Sequence, residues 1–284
     1  YFVVFVYDSF ALRFPGKAKT FYTDCVIACE RTFFGSKLMI VIPMAGRSKR
    51  FRDAGYSIPK FMLRAHGQSL FYYSLLSFKN YFSNEIFLFI VLEQDSARGF
   101  IISECEKLGI RHSIVELKAP TVGQADTVAK GLSVMNPDPE ESILIFNIDT
   151  FRWNYRYPRC VIEKKCSGYL EVFIGDGKNW SNVIPHAFSK NKVARTSEKK
   201  NESEFCSTGL YYFETVKFFE IAFNLTLEKC GLALGEVYVA PIYNELIELG
   251  HDVRYEVVER DDVVFCGVPS EYEEFLATPL QSLG

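Results

Sequence analysis

The chain has 284 residues, of which 48% are hydrophobic and 24% charged, so it can bury a sizeable core as one large α/β domain or two small ones. Its formal net charge of -3 excludes a general basic surface of the kind that collects nucleic acid. Any anionic substrate must therefore be held by particular residues. The longest apolar run, residues 86–92, is only of strand length, which predicts no membrane-spanning segment.

The eight cysteines are scattered and form no Cys-x-x-Cys pair, so the spacing typical of zinc sites is absent. Most of them lie in apolar surroundings, as buried free thiols do. A reducing cytoplasm is the simplest compartment for such a chain.

Residues 1–37 differ from the rest, because they show no clean period and contain the breakers Pro15-Gly16 and Gly35-Ser36. We predict an N-terminal extension without catalytic function over 1–37, ahead of a domain over 38–284.

From Met39 onward, apolar runs of strand length alternate with helical patterns. The predicted elements of the first half are strands over 39–44, 85–92, 112–117 and 142–148 and helices over 69–81, 95–108 and 124–135, with Asp95 capping the second helix. The second half predicts strands over 169–174, 193–196, 208–213, 251–258 and 263–265 and helices over 215–227, 237–249 and from Ser270. Apart from the strand at Val193, the polar stretch 189–204 is predicted to be a mobile connection. The alternation favours an α/β fold with a Rossmann-like mixed, mainly parallel sheet flanked by helices.

The loop after the first strand carries the clearest chemical signal. In an open α/β sheet, ligands bind beyond the carboxyl ends of the strands, where this loop lies. Small residues let backbone N–H groups approach a phosphate, and nearby cations neutralise it. The predicted nucleotide-binding residues here are Met44, Ala45, Gly46, Arg47 and Ser48, followed by the cations Lys49, Arg50, Arg52 and Lys60. An exposed basic loop is the alternative interpretation.

The stretch from Met44 to Lys60 resembles the signature of the sugar-nucleotide pyrophosphorylase type of nucleotidyltransferase, which has a GT-A-like fold. That signature is a strand, a Gly-rich loop ending in Arg, and a later Pro-Lys, matched here by Met44-Ala45-Gly46, Arg50 and Pro59-Lys60. The chain departs from it in having Arg47-Ser48-Lys49 where a second glycine region is more usual. The resemblance implies that Arg50 binds the triphosphate and that Lys60 contacts phosphates at the reacting centre.

Two further segments resemble parts of the same family. Gly123-Gln124-Ala125 is similar to its second nucleotide-contacting turn, in which Gln124 could bind a base edge. Asp149 ends a buried strand, as the family's metal-binding aspartate does, and is therefore the predicted ligand of Mg²⁺, which prefers one or two carboxylates with phosphate and water oxygens. The alternatives are an ordinary helix start and an ordinary turn cap.

The acceptor side is predicted from segments with weaker signals. Glu198-Lys199 resembles the family pair that contacts the acceptor phosphate, although Lys200 stands where Pro is usual, and a Gly-containing strand follows at Gly209. A solvated charged loop is the alternative for that pair. Trp180-Ser181 and the segment 235–243, which includes Glu236, resemble members that act on capsule or lipopolysaccharide precursors. Core packing is the alternative for Trp180.

One departure concerns the metal. Members of the family usually carry a second metal-ligating Asp just before a Gly near the C-terminus, whereas this chain has Cys266-Gly267. Asp261, Asp262 and Glu236 are the remaining candidates, so the second ligand is left open.

The predicted function is transfer of a nucleoside monophosphate from a triphosphate, CTP being favoured, to a phosphorylated sugar or other small acceptor. The partners are those two small molecules, with no nucleic acid and no membrane, and a homodimer stays open. A GT-A-type glycosyltransferase and a non-catalytic nucleotide-binding regulatory domain are the alternatives. Residues 38–150 would form the nucleotide-binding half and 151–284 the acceptor-binding half.

Overall fold

The computed structural model of the chain describes residues 38–230 and 235–279. The predicted extension 1–37 lies outside the described residues, and the division of the domain at residue 150 stays a prediction. No helix among the described residues is long and apolar enough to cross a membrane.

Strands and helices alternate through the first half, as the periodicity predicts. The strands are β1 Leu38–Pro43, β2 Arg64–Ala65, β3 Gln68–Ser69, β4 Ile86–Leu92, β5 His112–Leu117, β6 Ser142–Phe146, β7 Thr150–Arg152, β8 Gly168–Ile174, β9 Ser181–Pro185, β10 Val193–Glu198, β11 Phe205–Phe213, β12 Val253–Val258 and β13 Val263–Phe265. The helices are α1 Lys49–Asp53, α2 Leu70–Leu76, α3 Arg98–Leu108, α4 Gln124–Met135, α5 Arg159–Ile162, α6 Val216–Cys230, α7 Val239–Glu248 and α8 Pro269–Ala277, and short 3₁₀ turns cover Lys60–Met62, Lys79–Tyr81, Glu93–Asp95 and Arg260–Asp262.

Strand β1 is at the centre of the sheet. It pairs in parallel with β4 on one side and with β6 on the other, and β5 extends the parallel part beyond β4. On the other side of β6 the sheet becomes antiparallel through β11, which also contacts β8 and β9, while β12 pairs in parallel with β8. The predicted mixed α/β sheet flanked by helices is confirmed.

The two faces of the sheet are separate parts of the core, because successive side chains of a strand point to opposite faces. Met39 and Val41 of β1 face helices α4, α6 and α7. Leu38, Ile40 and Ile42 face helices α2 and α3. Each of these five side chains is buried, which explains why the sequence of the strand is a continuous apolar run.

The strand predicted over 193–196 is confirmed, and it extends to residue 198 as β10. It pairs antiparallel with β9, a strand that the sequence pattern does not indicate. The polar side chain of Thr196 finds its partners on α7, where its N–H is donated to Asn244 Oδ1 at 2.8 Å and its hydroxyl to the Ala240 carbonyl at 2.7 Å. These partners are distant in sequence, so the local pattern does not indicate them.

The predicted cap of the helix over 95–108 is wrong. Helix α3 begins at Arg98 after Ala97, and Asp95 instead closes the turn Glu93–Asp95. The Asp95 carboxylate lies 3.9 Å from Arg52 Nη2, so its partner is a side chain of α1, the short helix that follows β1.

Gly123 lets the start of α4 lie against the segment that leads into α7. Its φ of +136° is unfavourable for residues with a side chain, and a Cβ there would lie 2.4 Å from the Val237 carbonyl oxygen. The close approach permits two backbone hydrogen bonds, from Val237 N–H to Val122 at 2.7 Å and from Ala125 N–H to Val237 at 3.0 Å.

Gly123→Ala is therefore expected to lower the free energy of unfolding by roughly 2 kcal/mol or more, because the new Cβ meets backbone atoms that cannot move aside cheaply. Urea denaturation followed by circular dichroism measures this. Gly99→Ala is the matched control, since Gly99 lies in α3 with open space around it, and it should be neutral or stabilise by up to about 1 kcal/mol. Equal losses in the two variants would contradict the packing argument.

Candidate active site

The carboxyl ends of β1 and β6 bring two sequence-predicted segments to one edge of the sheet. The strands are parallel neighbours, with Leu38 opposite Ser142 and Val41 opposite Ile145. The residues that follow them, Met44 and Ala45 after one strand and 147–149 after the other, therefore leave the sheet at the same edge.

Lys60 and Asp149 form an ion pair at this edge. Lys60 Nζ donates to Asp149 Oδ2, although 89 residues separate the two. Their side chains are 22% and 19% exposed, so the pair is half-buried rather than dispersed in solvent. Lys60 is positioned by the turn that follows extended Pro59, and the Asp149 backbone carbonyl accepts from Cys266 N–H at 2.8 Å. The predicted catalytic lysine and the predicted metal ligand are thus direct neighbours.

The loop after β1 is held by one buried aromatic residue. Ser48 adopts a left-handed φ of 47° and its carbonyl accepts from Phe51 N–H at 3.0 Å, which starts α1. Phe51 is buried against Tyr56 and Tyr272. Because Phe51 points inward, the neighbouring side chains are left at the surface, and Gly46, Arg47 and Arg50 are exposed while Met44 and Ala45 are buried.

Asn147 joins the second predicted nucleotide segment to the end of β6. Gln124 Nε2 donates to Asn147 Oδ1, and Asn147 N–H is donated to the Gly209 carbonyl at 3.2 Å. A Cβ at Gly209 would lie 2.4 Å from Asn147 Nδ2, so this predicted acceptor residue makes room for the amide. Ala125 is fully buried. Asn147 was not predicted as a site residue. In the sequence it is distinguished only by its place between a buried strand and Asp149.

Three predicted residues of the acceptor side come together around Lys199. Together with Tyr238 they form what we call the Lys199 cluster: Ser181, Glu198, Lys199, Glu236 and Tyr238. Ser181 Oγ donates to Glu198 Oε2, and Lys199 Nζ lies 3.8 Å from Glu198 Oε1. Lys199 Nζ donates to the Tyr238 hydroxyl and lies 4.4 Å from the centre of its ring. Tyr238 in turn donates to Glu236 Oε2. Tyr238 was not singled out from the sequence, where it is one aromatic residue in an apolar helix pattern.

The electrostatics of the Lys199 cluster connect it to the basic loop. Burial raises the pKa of Glu198, and the hydrogen bond from Ser181 and the Lys199 charge only partly oppose this. Burial also raises the pKa of Tyr238, as does its bond to Glu236, whereas the positive charge of Arg50 lowers it. The charge of Arg50, which follows β1 in the chain, therefore affects Tyr238 on the predicted acceptor side.

Trp180 connects the Lys199 cluster to strand β13. Its carbonyl accepts from Lys199 N–H at 2.9 Å, and its ring centre lies 4.4 Å from that of Phe265. Phe265 precedes Cys266, whose N–H is donated to the Asp149 carbonyl. Trp180 thus packs as a core residue on one side while its neighbours reach the cluster.

Two of the candidates for a second metal ligand have other partners. Asp262 Oδ2 lies 3.5 Å from Arg152 Nη1, and Glu236 is bonded to Tyr238. No group of three or more His, Cys, Asp or Glu side chains suited to a metal occurs in the described part of the chain. A metal ion bound to Asp149 would therefore complete its coordination shell with oxygens of the bound phosphates and of water, which Mg²⁺ accepts as ligands.

Comparison with known proteins shows which solved structures the chain resembles. No family model matches the chain, and no curated protein does. Among solved structures, a nucleoside-diphosphate-sugar pyrophosphorylase from Vibrio cholerae RC9 is 44% identical, with a TM-score of 0.79 over 84% of this chain and 100% of that one. An inositol-1-phosphate CTP transferase from T. maritima is 18% identical, with a TM-score of 0.63 over 86% and 97%. A UDP-glucose pyrophosphorylase is 15% identical, with a TM-score of 0.64 over 86% and 98%. The last two show the fold alone.

The raised pKa of Glu198 predicts a stability cost at neutral pH. A carboxyl group whose pKa is higher in the folded state destabilises the fold as pH rises from its ordinary value of 4.5 through the folded value. Glu198→Gln should therefore raise the free energy of unfolding at pH 7 relative to wild type, and the difference should vanish near pH 4. Urea denaturation at both pH values measures it.

Glu202→Gln is the control of opposite sign. A hydrogen bond from Arg195 lowers the pKa of Glu202, so its ionised form stabilises the fold above the ordinary value and the variant should lose a little stability at pH 7. A shift in the same direction for both variants would show that burial of Glu198 is not the cause.

Proposed function

This chain belongs to the nucleoside-diphosphate-sugar pyrophosphorylase family, and on that premise we propose that it transfers a nucleoside monophosphate from a nucleoside triphosphate to a phosphorylated sugar or other small acceptor, releasing pyrophosphate. The observation that carries the proposal is the half-buried Lys60–Asp149 pair at the strand ends. An exposed basic loop lies at the same edge, and the charge of Arg50 reaches the Lys199 cluster. Phosphoryl transfer depends on this kind of positioning and charge neutralisation.

The residues fit Mg²⁺, the proposed cofactor. Asp149 supplies one carboxylate that is half-buried but still accessible. Gly267 comes so close that a Cβ there would lie 3.0 Å from Asp149 Oδ2, so a side chain at this position would fill the space beside the carboxylate. When bound, Mg²⁺ would neutralise charge on the phosphate oxygens.

The chain's own residues account for the remaining steps. Arg47 and Arg50 attract and orient the triphosphate, and Lys60 neutralises charge that builds up at the reacting phosphate. Lys199 holds the acceptor phosphate, one oxygen of which attacks the α-phosphorus. A new oxygen–phosphorus bond forms while the bond to the β-phosphate oxygen breaks, and pyrophosphate leaves. No covalent enzyme intermediate is required.

The nucleotide and the acceptor are narrower parts of the proposal. We propose CTP and a precursor of surface polysaccharide, made in the cytoplasm, because Trp180-Ser181 and the segment 235–243 resemble members that act on such precursors. The fold itself accommodates different bases, since its neighbours include both a CTP transferase and a UDP-glucose enzyme. Association of two copies stays a prediction.

Pyrophosphate release tests the proposal directly. The purified chain with Mg²⁺ is given CTP, UTP or dTTP, each with a panel of sugar and polyol phosphates, and release is expected with one triphosphate and at least one acceptor. Asp149→Asn and Lys60→Gln should each lower kcat by roughly 10²-fold or more, because each removes charge from the reacting centre. Lys79→Gln, at an exposed lysine that also begins a 3₁₀ turn, is the control and should keep wild-type turnover.

The absence of pyrophosphate release with every pair would overturn the proposal. Transfer from a finished sugar nucleotide in the same assay would favour the glycosyltransferase alternative. Nucleotide binding without any turnover would favour a regulatory domain.

Tyr238 supplies a second test, on the acceptor side. Tyr238→Phe keeps the ring under Lys199 but removes the hydroxyl that Lys199 and Glu236 share. Because a hydrogen bond to a charged group contributes about 1.5–3 kcal/mol, the KM of the acceptor should rise by roughly tenfold, with the KM of the triphosphate unchanged. Steady-state kinetics with each substrate varied measures both. Tyr72→Phe, on α2, is the control, and a rise confined to the triphosphate KM would place Tyr238 elsewhere in the mechanism.

A further inference from the structure

Gly267 lies where two carboxylates converge. A Cβ at this position would be 3.0 Å from Asp149 Oδ2 and 3.5 Å from Glu271 Oε2. Both carboxylates therefore border the side of Gly267 on which any other residue would carry its side chain. Asp149 and Glu271 are far apart in sequence, so no sequence motif indicates that they form a pair.

Glu271 is held in this position by the start of α8. Its Oε2 accepts from Gly267 N–H at 2.7 Å and from Val268 N–H at 3.1 Å, which is a capping interaction at the first turn. Both N–H groups bind the same oxygen of the carboxylate. The backbone therefore fixes the carboxylate beside Asp149 rather than letting it extend into solvent.

Backbone hydrogen bonds from one turn fix both residues. Cys266 N–H is donated to the Asp149 carbonyl at 2.8 Å, and the next residue, Gly267, donates its N–H to Glu271. The turn between β13 and α8 therefore contacts both carboxylate residues.

We propose that Glu271 is the second protein ligand of the Mg²⁺ ion held by Asp149, in place of the carboxylate that this chain lacks at the turn Cys266-Gly267. The inference rests on the proposed function for the identity of the ion. Mg²⁺ takes oxygen ligands at about 2.1 Å and binds readily to two carboxylates from different elements. A glycine at 267 is then required, because a side chain would enter the space between the ligands.

Binding of Mn²⁺ alone to the full chain tests this without any turnover. Free Mn²⁺ is followed by its electron paramagnetic resonance signal during titration of wild type, Asp149→Asn and Glu271→Gln. Glutamine keeps an oxygen for the two N–H groups and so keeps the cap, but it loses the charge. Glu271→Gln is expected to weaken Mn²⁺ binding by roughly tenfold or more, as Asp149→Asn does. Glu273→Gln, exposed on the same helix, is the control and should bind as wild type does.

Gly267→Ala gives an independent second variant, since it leaves both carboxylates in place and fills the space between them. It should also weaken Mn²⁺ binding while thermal unfolding shows a folded protein. Wild-type Mn²⁺ affinity in Glu271→Gln, alongside a loss in Asp149→Asn, would show that Glu271 is only a helix cap and would overturn the proposal. Mn²⁺ binding that needs both carboxylates in a chain that releases no pyrophosphate would uphold Glu271 and contradict the proposed function instead.

Discussion

The parallel pairing of β1 with β6 is the constraint on which the candidate site depends. It brings the loop after Pro43 and the turn at 147–149 to the same edge of the sheet. The pairing is fixed because β1 is buried on both faces, so a slip of one residue would move every side chain into the wrong half of the core. The position of charged groups at the surface is thus decided by apolar residues that never contact a substrate.

At the candidate site, both predicted lysines lie next to a carboxylate. Lys60 contacts Asp149 and Lys199 lies near Glu198, so each lysine has a carboxylate partner. A bound phosphate would compete with the partner carboxylate for either lysine. A metal ion bound to Asp149 would neutralise the negative charge that Lys60 otherwise balances. Burial of Glu198 lowers the stability of the fold, which is the kind of local cost that functional sites carry. The pairing keeps the protein folded while leaving both cations able to change partners.

Periodicity predicted the parts of the fold whose reasons are local. Gln124–Met135, His112–Leu117 and Val263–Phe265 have the bounds that their patterns indicate. Strand β9, the last two residues of β10 and the role of Asp95 were missed or misread, because their partners lie far along the chain. In the same way, motifs indicated Lys60 and Asp149, while Asn147, Tyr238 and Glu271 are recognisable only from what stands beside them in space.

Trp180 explains how the two ends of the site can act together. Its backbone receives the Lys199 N–H, and its ring packs on Phe265, directly before the residue that binds the Asp149 backbone. Arg260 also packs on Phe265, with its guanidinium carbon 4.9 Å from the ring centre. A reaction between two bound phosphates requires that their holders keep a fixed distance, because small displacements cost much of the advantage of proximity. A packed aromatic link between the Lys199 cluster and Asp149 would hold the two proposed phosphate-binding regions at such a distance.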